Sequence, residues 1–122
     1  MLNKIFILNF LILLFISSCG NKYQVNLDQN KIDSIQFYER KGNDFQIIKT
    51  VKDKSIQDYF IEDYINGSTY DPKIIKFYSQ YEIKVYEALN EEIFGITDKK
   101  MFYQGRCYSL NKDINDIINK IK

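Results

Sequence analysis

The sequence predicts an α+β fold: a small antiparallel sheet in the order ββαβββα, with two amphipathic helices packed on one face. Three observations point there. Apolar and polar residues alternate over residues 81–86, which is the period of a half-buried strand. Apolar residues recur at helical spacing in two places, at Ile56, Tyr59, Phe60 and Tyr64 and again at Leu110, Ile114, Ile117, Ile118 and Ile121. The links between extended stretches are short and turn-forming, and strands joined that way pair antiparallel.

Each element has its own local reason. Ile35 and Phe37 alternate with Gln36 and Tyr38, and Lys41, Gly42, Asn43 and Asp44 supply turn chemistry before residues 45–51. Asp53 or Ser55 is placed to cap the first helix, because a short side-chain oxygen accepts from the free amides of a first turn. Asn66 and Gly67 end that helix, glycine taking the left-handed conformation after the last turn at little cost. Asp71 precedes Pro72, which disfavours helix and restarts the chain as an extended segment. The strand over residues 81–86 carries Glu82, Lys84 and Tyr86 on its wet face. Leu89, Asn90 and Glu91 turn into residues 93–97, and Asp98, Lys99 and Lys100 turn into residues 101–103. Gln104, Gly105 and Arg106 bend the chain toward Cys107 and Tyr108, and Ser109 or Asn111 caps the last helix.

Composition excludes several kinds of chemistry. The chain carries 17 Lys and Arg against 16 Asp and Glu, and Lys4 is the only charge in the first 18 residues, so the remainder is neutral. A neutral domain is a poor partner for nucleic acid, which favours clustered basic charge. There is no histidine, and with it go the commonest general base and the commonest zinc ligand. No spacing supports a nucleophile or an acid pair, so no enzyme, metal or cofactor is expected. Asp58, Glu62 and Asp63 on one helix, and Glu91 and Glu92 at a turn, read as solvated carboxylates rather than a calcium loop.

Residues 5–16 read IFILNFLILLFI, with Asn9 the sole polar residue. As a helix this stretch spans about 18 Å, well short of the ~30 Å hydrocarbon core of a bilayer. Lys4 supplies a positive flank, and Ser17 and Ser18 supply the small residues a signal peptidase needs. Ile16, Ser17, Ser18 and Cys19 together resemble the lipobox of bacterial lipoproteins. The resemblance implies cleavage between Ser18 and Cys19, acylation of Cys19, and stable anchoring to the lipid bilayer through two or more chains. Gly20 stands where an Asp retains some Gram-negative lipoproteins in the inner membrane, so in a Gram-negative host the resemblance favours the outer membrane, facing the periplasm. The expected organisation is a signal peptide over residues 1–18, a lipidated cysteine and polar tether over residues 19–31, and one domain over residues 32–122. Val25 and Leu27 also read as the start of a strand.

With Cys19 acylated, Cys107 is the remaining thiol, and its strand-like surroundings predict a buried one. Tyr38, Tyr78 and Tyr86 fall on polar registers and are the candidate binding patch, since tyrosine offers area, a polar tip and little entropy to lose. The expected function is therefore a non-enzymatic binding or inhibitor-type module held at the envelope, using an exposed sheet face or loops against an envelope protein partner. The alternatives are a structural or assembly accessory lipoprotein and a protective lipoprotein of the immunity or phage-exclusion type.

Overall fold

The computed structural model describes residues 23–73 and 76–122. The expected signal peptide, with Ser18 and Cys19, lies outside the described residues. Seven strands form one antiparallel sheet: β1 Ser34–Lys41, β2 Asp44–Val51, β3 Thr69–Tyr70, β4 Tyr81–Glu87, β5 Asn90–Thr97, β6 Lys100–Tyr103 and β7 Arg106–Ser109. Their lateral order is β2-β1-β4-β5-β6-β7-β3. The fold is thus mixed but dominated by its sheet. The expected ββαβββα order lacks β3 and β7: β3 is too short to show a period, and β7 follows so tight a turn that it read as a bend.

Four hairpins build most of the sheet, joining β1 to β2, β4 to β5, β5 to β6 and β6 to β7. Two of their turns require glycine at positive φ, Gly42 (68°) and Gly105 (75°), a conformation that costs glycine nothing. One long-range pairing closes the centre, where β1 lies antiparallel to β4 with Phe37 opposite Ile83. A bulge between Phe37 and Tyr38 of the β1–β2 ladder admits Ile48 as an extra residue, and Ile48 packs on the core.

α1, Lys54–Tyr59, runs directly into a π-helical segment, Phe60–Ile65. Asp53 caps it, its carboxylate accepting from the Ser55 and Ile56 amides. The wider winding ends with the Asn66 amide donating to the Ile61 carbonyl at 2.8 Å, five residues back. As a result Phe60, Ile61, Tyr64 and Ile65 are all buried, while Ile56 and Tyr59 of the expected stripe are only partly so. Gly67 does not take the expected left-handed conformation, because the π-type bond has already terminated the helix. α2, Ile114–Ile121, begins later than its apolar pattern suggested. Asp113 caps it in place of Ser109 or Asn111, accepting from the Asn115 amide at 2.9 Å.

A single hydrophobic core collects Ile35, Phe37, Ile83, Val85, Phe94, Ile96 and Met101 from the sheet, Phe60, Ile61, Tyr64 and Ile65 from the first helical segment, and Ile114, Ile117, Ile118 and Ile121 from α2. The Phe37 and Phe60 rings meet edge-on at 5.2 Å. Burying each such side chain contributes roughly 1.5–3 kcal/mol. Gln57, also buried, donates to the Asp33 and Val51 carbonyls and so leaves no unpaired amide inside.

The expected tether is, from Tyr23 onward, part of the domain. Val25 belongs to the core, and the Asn66 side chain clasps Leu27, accepting from its amide at 2.8 Å and donating to its carbonyl at 2.9 Å. Tyr23 packs its ring 4.7 Å from that of Tyr70, under the Arg106 guanidinium. Burying Val25 and satisfying two backbone groups outweighs the freedom a polar segment would otherwise keep.

Candidate functional site

Alternation fixes which side chains leave the core. In β1 the outward register holds Gln36, Tyr38 and Arg40, and in β4 it holds Glu82, Lys84 and Tyr86. Pairing extends one row across the sheet, from Ile47 through Tyr38, Glu82, Gly95 and Phe102 to Cys107. Ile47, Ile93 and Phe102 on this register are 52%, 47% and 40% exposed.

Tyr38 and Tyr86 are brought together on this face. Both phenols donate to the Gln36 side-chain oxygen, at 2.6 and 3.1 Å. Lys84 lies between them, its ammonium 5.0 Å from the Tyr38 ring and 3.7 Å from Glu91. Burial opposes the charge on Lys84, but Tyr38, Glu91, Tyr86 and Glu82 outweigh it and hold the ammonium above the ordinary lysine value.

Tyr78 does not belong to this network or to any strand. Because β3 sits at one edge and β4 near the middle, the connection between them must cross the sheet, and its last residues do so on the outward side. Phe77 stacks on Phe102 at 6.0 Å, and Ser79 rests on Gly95. Arg40 holds this strap from one side: its guanidinium lies between the Phe45 and Tyr78 rings, 4.4 and 4.2 Å away, and Nε donates to the Ser79 carbonyl at 2.7 Å. Thr97 holds it from the other, its hydroxyl donating to the Tyr78 carbonyl and accepting from the Gln80 amide. The outward face is therefore only partly open. Beside the strap lies a shallow concavity of about 430 Å³ lined by Arg40, Phe45, Glu82, Ile93 and Phe102.

Cys107 is buried but stands outside the hydrophobic core, on the same register as Phe102. Burial, and next the Asp71 carboxylate, push its thiol above the ordinary value. Asp58 and Asp63 pair with Lys54 and Lys112 at 3.2 and 3.7 Å. Among the described residues no three of His, Cys, Asp or Glu are grouped to hold a metal ion, and no helix is long and apolar enough to cross a membrane.

The arrangement brings apolar area, two cations, carboxylates and phenol tips together on one surface. Sequence reasoning missed Gln36 and Arg40, although both sit on the alternation that marked Tyr38. It also missed Gly95, whose role depends on a segment 16 residues away at Ser79. The chain matches no protein-family model, and comparison with curated proteins and with solved structures finds no similar one.

Proposed function

We propose that the chain is a lipid-anchored, non-enzymatic binding module of the cell envelope, acylated at Cys19, with both helices backing one side of the sheet and the outward register taking a protein partner. The observation that carries this reading is the exposure of Ile93 and Phe102 in the Arg40 concavity and of Ile47 on the same register, a set of large apolar side chains that folding alone leaves in water. Tyr38, Tyr86 and Lys84 add directional polar contacts beside it. The Ile16-Ser17-Ser18-Cys19 tetrapeptide supports the anchor.

A photo-crosslinking residue placed at Ile93 in intact cells tests the surface. The reading expects one discrete crosslinked envelope protein from position 93 and none from Asp116, exposed on α2. Equal, diffuse crosslinking from both positions contradicts it.

A further inference from the structure

The end of the sheet beside which Tyr23 lies also presents an isolated leucine. Leu89, at the tip of the β4–β5 hairpin, is fully exposed. Its neighbour Ala88 holds a left-handed φ of 49°, unusual for a residue other than glycine, and donates its amide to the Asp33 carboxylate at 2.8 Å. The tip is thus pinned, and among the described residues nothing covers the leucine on it.

The distances at this end agree. Arg106 opens β7 opposite Tyr103, and the Tyr23 ring lies 4.3 Å from its guanidinium and 4.7 Å from the ring of Tyr70, which pairs with Tyr108, so Tyr23 stands beside the end of β6 or slightly inward of it. Tyr103 in turn stacks on Phe94, whereas β5 continues back to Asn90. From Phe94 to Asn90 the hairpin therefore projects about 14 Å beyond that level, at ~3.4 Å per residue. From Tyr23 back to Cys19 the covalent reach is likewise at most about 14 Å, at ~3.3–3.6 Å per residue. A lipid on Cys19 therefore holds Tyr23 within about 14 Å of the bilayer, a length the hairpin overhang matches.

We propose that the β4–β5 tip is a second membrane contact, with Leu89 inserting into the interface of the bilayer that holds the Cys19 lipid. The proposal rests on the anchor reading above. Charges of both signs flank the tip, Lys31 with Asp33 and Glu87, so the leucine carries the contact and headgroup charge does not. This orientation sets the strands upright on the membrane, with the outward face open to the side.

The test uses the mature, acylated protein in phosphatidylcholine vesicles, with an environment-sensitive fluorophore on Leu89→Cys or, at the opposite end of the sheet, on Asn43→Cys. The unsubstituted protein, whose Cys107 is buried, gives the labelling background. The expected result is a blue-shifted emission and a severalfold loss of iodide quenching at position 89, with neither at position 43. Flotation with the vesicles but equal quenching at both positions overturns the tip contact alone. Failure of the unlabelled protein to float overturns the anchor and the tip contact with it.

Discussion

Gly95 lies directly beneath Ser79: a methyl group at Gly95 would stand 2.1 Å from the Ser79 hydroxyl oxygen and 3.1 Å from its Cβ. No side chain fits there while the strap stays in place. Gly95→Ala is expected to lower stability by about 1–3 kcal/mol, the usual cost of overpacking. Ser79→Gly removes both opposing atoms, so the double variant should recover most of that loss. Urea denaturation of the two single variants and the double variant checks this. Simple additivity would show that the strap does not rest on Gly95.

The Asn66 clasp makes residues 25–31 part of the domain. Asn66→Ala removes two hydrogen bonds to Leu27, each worth about 0.5–1.5 kcal/mol. Hydrogen exchange should accelerate at the Leu27 amide, and limited proteolysis should cut within this segment, while the β4 and β5 amides keep their protection. An unchanged Leu27 amide would contradict the clasp.

What the sequence revealed and what it concealed divide along the range of the interactions. Strand alternation at Ile35, Phe37, Ile83 and Val85 and the turn glycines Gly42 and Gly105 are local, and they were readable. The first helix was readable too, but not its π-winding, since Ile61 and Ile65 look outward on a 3.6-residue wheel and turn inward only when the helix widens. The strap was not readable, because its path follows from β3 pairing at one edge while β4 pairs near the centre. Tyr38 and Tyr86 met as their register implied. Tyr78 departs from the expected register for the same topological reason, since it belongs to the crossing segment.

Cys107 is buried and its thiol is held above the ordinary value of 9.0 by burial and then by Asp71. In the folded protein it should resist a thiol reagent at pH 8 and react fully once denaturant is added. Rapid labelling under native conditions would mean that the strap side of the sheet opens.

Stability should fall on the alkaline side. Burial and then Tyr59 raise the Tyr64 phenol above 10.0, and burial and then Glu92, which accepts its hydroxyl at 2.6 Å, do the same for Tyr103. The unfolded chain loses these protons near pH 10 while the folded chain keeps them. The stabilisation is therefore complete below pH 10 and is lost as pH rises toward the folded values. The denaturation midpoint should be level from pH 7 to about 9 and decline beyond 10. Tyr103→Phe should flatten that decline while lowering the plateau. A midpoint independent of pH up to 11 would contradict the buried, bonded phenols.

Everything said of place and partner begins at Cys19. The most direct measurement is the mass of the N-terminal peptide of the protein isolated from cell membranes. A peptide that begins at Cys19 and carries diacylglycerol, lost together with palmitate incorporation in Cys19→Ala, is the predicted result. An unlipidated peptide that begins at Met1, or at any residue other than Cys19, would contradict the account.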